Sequence, residues 1–261
     1  MDNRYITKKI SSIRRSKDDF FFSNIFTVPK DIEETYENEN GIAFVIDDKG
    51  VKRAYLAAND VGSIRFLLEK LPVGTGIEII TEEMPSAVAD VFKKSKCELF
   101  ATYLRASNKA LIDTLDDNIP KKFKDIDYKK YVQRATLEYL DQIYDLLYET
   151  FNPLTSHLQS REELKRDILE GNVNISTENG IVQTVHTYEF IGKKLNLEHL
   201  VNKGASVLVH SLYYYTLRRA ADMGINYAYT WMRDDNERIW AFTKRYGIIA
   251  DGVKNFVYVK K

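Results

Sequence analysis

The chain has 261 residues, and its 38 Lys plus Arg balance 38 Asp plus Glu to a formal net charge of zero. With 44% hydrophobic and 12% aromatic residues it can build one large or two ordinary globular cores, which excludes a disordered chain. Neutral charge gives no reason to expect a nucleic acid or an anionic membrane as partner; a lone Cys97 excludes an intrachain disulfide, and no apolar run nears the roughly 18 residues of a membrane span.

The start, Met1 to Tyr5, lacks the apolar core of a signal peptide, so a reducing cytoplasm is the expected compartment. Lys8, Lys9, Arg14, Arg15 and Lys17 form a local basic cluster that reads as a solvated face. Gly41 to Ile46 and Val51 to Ala57, joined by Asp47 to Gly50, form a hairpin pattern of two β-prone runs around a short polar turn. Asp60 can cap a helix that carries Val61, Ile64, Leu67, Leu68 and Leu71 at helical spacing and is closed by Pro72. A strand at Gly76 to Ile80, a helix opened by Pro85 with Val88, Val91 and Phe92 inward, and a strand from Glu98 to Leu104 follow. The polar stretch Asn118 to Lys130, punctuated by Pro120, is the best linker, and divides the chain into domains 1–122 and 123–261.

In the second domain, Leu140, Ile143, Leu146 and Leu147 recur at helical spacing, and Ser160 with Glu163 has the form of a capping box. After Gly171 come two strand patterns, Asn172 to Thr177 and Ile181 to Phe190, around the turn Glu178-Asn179-Gly180. A strand at Leu195 to Val201 then runs through Asn202-Lys203-Gly204-Ala205-Ser206 into a long helix, with Val209, Leu212, Tyr213, Leu217 and Ala220 as its apolar stripe. A strand, a small-residue turn and a helix start make an anion site, because main-chain N–H groups there lack intrahelical acceptors and the helix dipole adds positive charge. A strand at Asn226 to Met232 and a short helix ending at Lys244 to Ile248 close the pattern.

This order of elements over residues 130–261 resembles the GNAT superfamily of acyl-CoA-dependent N-acyltransferases. Tyr131 to Thr136 looks like the family's first strand and turn, and its late signature is matched at Asn236, Ile239, Phe242 and Gly247. Two positions depart from it. The pyrophosphate loop holds one glycine, Gly204, with Val201 where Arg or Gln is usual and Ser206 in place of a small residue; Thr243 stands where many members carry a proton-donating tyrosine. The first domain repeats hairpin, helix, strand, helix, strand, which makes it a reduced, divergent copy without a cofactor loop between Ala57 and Asp60. The expected fold is therefore a mixed-sheet α/β protein of tandem GNAT-like architecture, with a complete C-terminal GNAT domain and a smaller N-terminal one.

The resemblance implies acyl transfer from acetyl-CoA, or another acyl-CoA, to an amine of a small molecule or peptide. Pyrophosphate would sit on the N–H groups of Lys203, Gly204, Ala205 and Ser206; the main chain near Leu200 and Val201 would meet the thioester end; Asn236 would meet the pantetheine or adenosine, unless it simply caps the last helix. Glu198 or His199 would take the proton. Residues alternate on a strand, so at most one of the two faces the site, and Glu198 is placed on the face of Asn196 and Leu200. Tyr246 could replace Thr243 as the acid, although it also continues the apolar row of Ile239 and Phe242. Tyr144, Tyr148, Phe151 and His157 are candidate walls of the acceptor pocket.

Other chemistries lack support. His157, His186, His199 and His210 show no metal-ligand spacing, and Ser206 with His210 lacks a nucleophile elbow. The Gly204-Ala205-Ser206 to His210 run is also similar to Fem-type peptidyl transferases, which use aminoacyl-tRNA, but the neutral charge and missing coiled-coil arm weigh against them. A non-catalytic protein that kept the fold is the other alternative. A free sheet edge could pair two copies into a homodimer.

Overall fold

The computed structural model describes residues 3–15, 20–119, 123 and 126–261. Lys17 of the basic cluster and Pro120, Lys121, Lys122, Lys124 and Asp125 of the expected linker lie outside the described residues. The chain forms two compact units, Met1–Tyr103 with Val253–Lys261, and Leu104–Gly252.

The first unit opens with helix α1 (Asn3–Arg15), short strand β1 (Phe22–Ser23) and strands β2 (Glu34–Glu37), β3 (Gly41–Asp48) and β4 (Val51–Ala58). Helix α2 (Val61–Lys70), strand β5 (Gly76–Thr81), helix α3 (Ser86–Lys94) and strand β6 (Cys97–Asn108) follow. Asp60 caps α2 as expected, its carboxylate accepting from the Ser63 N–H at 2.7 Å. The sheet of this unit runs β2-β3-β4-β5 and is completed by the last strand of the chain, β12 (Ile249–Lys260), whose Lys254 to Val259 pair antiparallel with Thr81 to Gly76. One face packs Ala43, Val45, Leu56, Ile77 and Ile79 against Leu67, Leu68, Val88 and Phe92 of α2 and α3. The other packs Ile42, Phe44 and Ala57 against Ile6 and Ile13 of α1. The basic residues of α1 thus ride on an amphipathic helix whose isoleucines fall at helical spacing.

Parallel strands β4 and β5 pair only at Arg53 and Gly76 before they part. Residues 22–24 fill the gap. Phe22 and Ser23 pair antiparallel with Ala58 and Ala57, and the Asn24 side chain bridges both strands. Its Nδ2 donates to the carbonyls of Ala54 (3.2 Å) and Glu78 (2.9 Å), while its Oδ1 accepts from the Leu56 N–H at 2.7 Å.

The second unit takes the end of β6, then α4 (Leu111–Asn118), β7 (Gln133–Arg134), α5 (Leu140–Thr150), α6 (Pro153–Ser156) and α7 (Arg161–Glu170). Strands β8 (Val173–Glu178), β9 (Ile181–Ile191) and β10 (Lys194–Asn202), helix α8 (Ser206–Asp222), strand β11 (Tyr227–Arg233) and helix α9 (Glu237–Thr243) complete it. Its sheet runs β6-β11-β10-β9-β8-β7. The predicted capping box forms at α7: Ser160 Oγ accepts from the Glu163 N–H and the Glu163 carboxylate from the Ser160 N–H, and Gly171 ends the helix in a left-handed conformation. Ile143, Leu147, Leu164 and Ile168 of α5 and α7 cover one sheet face through Val173, Ile175, Val185 and Val201. Tyr213, Leu217 and Ala220 of α8 cover the other through Tyr188, Leu195 and Leu197.

Replacing Asn24 by Ala orphans two carbonyls and one N–H in a buried gap, which should cost about 2–4 kcal/mol. Urea unfolding of Asn24→Ala should show a clearly lowered midpoint; a change within about 0.5 kcal/mol would mean that the side chain does not bridge the two strands in solution.

Candidate functional site

Strands β9 and β10 pair in antiparallel register up to Leu197 and Tyr188, and resume at Leu200 and His186. Two residues of β10, Glu198 and His199, therefore stand opposite the single residue Thr187, which defines a β-bulge. The extra main-chain N–H is not left bare: that of His199 donates to Thr187 Oγ1 at 3.1 Å.

The bulge shifts the two-residue alternation by one. Leu195, Leu197 and Leu200 pack on the α8 side, whereas Val201 belongs to the α5–α7 core. Glu198 and His199 consequently both turn to the α5–α7 side, where Glu198 meets Gln159 and His199 meets Ser156. The expectation that only one of the pair faces that side, and that Leu200 shares a face with Glu198, is corrected here: strict alternation holds only in an unbroken strand.

The bulge also coincides with a fork. Parallel pairing of β10 with β11 runs from Lys194 and Tyr227 to Leu197 and Thr230 and ends there, although both strands continue. Beyond Leu197 the edge of β10 that faces β11 carries no strand pairing, so N–H and C=O groups between Glu198 and Asn202 line a cleft. The carboxyl end of this cleft leads into the Asn202–Ser206 loop and the start of α8.

Glu198 is the chemically poised group. It is half-buried, and Gln159 Nε2 donates to its Oε2 at 2.7 Å. Burial, with Asp167 and Glu189 nearby, pushes its carboxyl up to about 7, against the opposing hydrogen bond of Gln159. A carboxyl raised toward neutrality in this way suits a general base. His199 is different. Its ring is buried against Phe151, and Nε2 lies 2.8 Å from the Ser156 carbonyl, which makes that nitrogen the protonated one and gives the ring a positioning role.

The loop before α8 is partly spent on itself. The Lys203 N–H donates to the Gln183 carbonyl (2.8 Å), the Gly204 N–H to Asn202 Oδ1 (3.3 Å), and the Lys203 ammonium pairs with Glu149 at 2.9 Å. A Cβ on Gly204 would stand 2.7 Å from Leu208 Cδ1 and 3.1 Å from Gln183 Cβ, so glycine is required for the loop to lie close on β9. Ala205 is the N-cap of α8 and makes no side-chain cap bond. By helix geometry the N–H groups of Ser206 and Val207 have no intrahelical acceptor, and Ala205 and Ser206 are exposed. The N–H groups open to an anion are thus displaced toward the helix from the expected Lys203–Ser206 set. Val201 is a core residue.

The remaining candidates are occupied elsewhere. Thr243 Oγ1, buried, donates to the Ile239 carbonyl of its own helix at 3.1 Å. Tyr246 is buried among Tyr213 and Phe242 with its hydroxyl 2.6 Å from His210 Nδ1, and burial raises its pKa above the ordinary phenol value. Both hydroxyls lie on the α8 side of the sheet, opposite Glu198. Asn236 caps α9 by accepting from the Ile239 N–H at 3.2 Å. Tyr144 stacks on Tyr148 at 4.3 Å beneath the Arg161 guanidinium, Phe151 meets the His199 ring, and His157 takes a left-handed turn with φ 45°. Gln159 and Thr187 escaped the sequence reading; only the bulge connects them to Glu198, and no local motif announces a bulge.

A raised carboxyl leaves a stability signature. The folded form of Glu198 keeps its proton up to about pH 7 while the unfolded chain loses it near 4.5, so stability falls as pH rises across that window. Relative to wild type, Glu198→Gln should gain on the order of 1–3 kcal/mol between about pH 4 and pH 8 in denaturant titrations. His186, whose pKa burial lowers to about 3, titrates alike in both proteins and cancels. An unchanged difference would mean that the carboxyl is solvated.

No protein-family model and no curated protein sequence matches this chain. Solved structures do. It is similar to a GCN5-related N-acetyltransferase from Sphaerobacter thermophilus, with TM-score 0.58 and 9% identity over 85% of this chain and 76% of that one. A GCN5-related N-acetyltransferase from Kribbella flavida aligns with TM-score 0.55 and 11% identity over 98% and 94% of the two chains. A tandem GNAT protein from the clavulanic acid biosynthesis pathway gives TM-score 0.52 and 11% identity over 84% and 78%. The mixed α/β architecture of this chain is the GNAT fold, in the tandem form expected from the sequence.

Proposed function

We propose that this GNAT-fold chain is an N-acyltransferase that moves an acetyl or other acyl group from coenzyme A to an amine of a small molecule or peptide. The observation that carries the reading is the fork of β10 and β11 directly beside Glu198, with the start of α8 at its end. The coenzyme would supply an acyl thioester, a carbonyl activated toward nitrogen nucleophiles.

The residues fit such a guest. The unpaired edge of β10 over Glu198 to Asn202 offers main-chain N–H groups to amides and to a developing oxyanion, and the N–H groups at Ser206 and Val207 offer a seat to phosphate. Ala205 leaves the helix uncapped by a side chain, which keeps those donors available. Glu198 takes the proton of an incoming ammonium, which must be neutral to attack, and Gln159 holds the carboxylate in place. The Thr243 and Tyr246 hydroxyls are engaged within the fold. That favours a second reading, a non-catalytic binder of acyl-CoA, which turnover separates from the first.

Calorimetry with acetyl-CoA tests the site through Ala205→Asp. An Asp at this N-cap can bond the free N–H groups itself, so the helix should gain about 1 kcal/mol while coenzyme affinity falls at least about tenfold. This variant is cleaner than a Gly204 substitution, whose Cβ would clash. No binding by folded wild type sinks both readings. In the enzyme, kcat/KM should rise through about pH 7 and Glu198→Gln should lower kcat roughly 10²–10⁴-fold; binding without turnover leaves the binder.

A further inference from the structure

The wall around Glu198 is acidic beyond what proton removal requires. Asp167 on α7 and Glu189 on β9 bear on Glu198, and Glu163, Glu170 and Glu189 bear on Asp167. Tyr229 on β11 feels Glu189 and Glu198 and stacks on Tyr227 at 5.7 Å. Positive groups are fewer: Arg166, mostly exposed, lies 3.7 Å from Asp167, the Lys194 ammonium lies 5.7 Å over the Tyr227 ring, and Arg105, paired with Asp251 at 2.9 Å, acts on Tyr229.

A second observation points to a ligand. Gln159 is 8% exposed, and while its Nε2 is bonded to Glu198, its Oε1 has no hydrogen-bond partner among the described residues. A buried carbonyl oxygen of this kind calls for a donor. Carboxylates and a carbonyl are all acceptors, so the complementary group carries several N–H donors and positive charge. A metal ion does not fit, because among the described residues no three carboxylate, His or Cys side chains are grouped closely enough to hold one. Acceptors spread along a wall match charges spread along a chain.

We propose that the acceptor of this site is a di- or polyamine, its reacting nitrogen against Glu198 and the Gln159 carbonyl and its second ammonium held by Asp167 and Glu189. This assignment rests on the acyl-transfer reading for the reaction, but not for the binding. The ammonium at Glu198 gives one proton to the carboxylate and, as a neutral amine, forms the C–N bond while the C–S bond breaks; the second proton, shed by the new amide nitrogen, goes to the departing thiolate, which leaves as the thiol. Aromatic faces of Tyr227 and Tyr229 add favourable surface for the methylene chain and its charges.

The test is calorimetry of the full chain, without donor, using 1-aminobutane, 1,4-diaminobutane and spermidine, with the same acceptors then compared in turnover with acetyl-CoA. The diamine should bind at least about tenfold more tightly than the monoamine of equal carbon length, and the preference should shrink between about 20 mM and 300 mM salt as screening grows. The Asp167→Asn and Glu189→Gln double variant, isosteric at both positions, should lose the preference and raise KM for the diamine more than it lowers kcat. Equal affinity for mono- and diamine, or a preference that survives in the folded double variant, overturns the assignment. Coenzyme binding is measured separately on the same protein, so loss of diamine preference with coenzyme bound leaves acyl transfer standing, and a diamine preference without coenzyme binding removes acyl transfer alone.

Discussion

Everything at the candidate site depends on one hydroxyl and the irregularity it stabilises. An extra residue in β10 would leave a main-chain N–H without a ladder partner, and Thr187 accepts it. Because that bond holds the bulge, the side-chain phase of the strand shifts, both Glu198 and His199 turn toward α5 and α7, and Val201 enters the core on the same side. The fork from β11 begins at the same level. A regular strand at this place would bury Glu198 or expose Val201, and pairing with β11 would close the cleft.

The first unit offers a contrast in the same topology. There too a strand, a helix and a parallel strand follow one another, and there too the pair parts after one register position. The gap holds the chain's own residues 22–24, with Asn24 satisfying the freed backbone groups. Asp60 caps the start of α2 with its own carboxylate, and the inserted segment takes up the backbone groups at the fork that Asn24 reaches. The two halves thus show two solutions to the cost of parting parallel strands: fill the gap from within, or leave it for a guest.

What was legible in the sequence follows the range of the signals. Capping at Ser160 and Asp60 and the Asn179-Gly180 turn are local chemistry, and they read directly. The order of elements sufficed for the fold class. The α1 helix was hidden by its charges, although Ile6, Ile10 and Ile13 mark its inner face, and the partner of β5 could not be foreseen because Val253 to Lys260 lies far away in sequence. At the site, Glu198 was visible as a carboxylate before a small-residue loop, but its environment was not. Gln159, Thr187, Asp167 and Glu189 come from a loop, a strand, a helix and a strand end, and only tertiary structure brings their electrostatics to one carboxyl. Asn236 and Tyr246 matched a sequence pattern whose immediate structural duties, a helix cap and a buried hydroxyl pair, fully employ their side chains.

The return of β12 to the first unit has a consequence for how the protein is made. Thr81 pairs with Lys254, the Gly74 N–H donates to the Lys260 carbonyl, and the Lys260 ammonium donates to the Ser95 carbonyl at 2.6 Å. At roughly 5–20 residues per second, about 10–30 s pass on the ribosome between the emergence of β5 and that of its partner strand. Throughout that interval β5 is an open sheet edge with Ile77 and Ile79 behind it. The half of the protein synthesised first is therefore the half completed last, and the edge of β5 is open on the nascent chain and closed in the finished molecule.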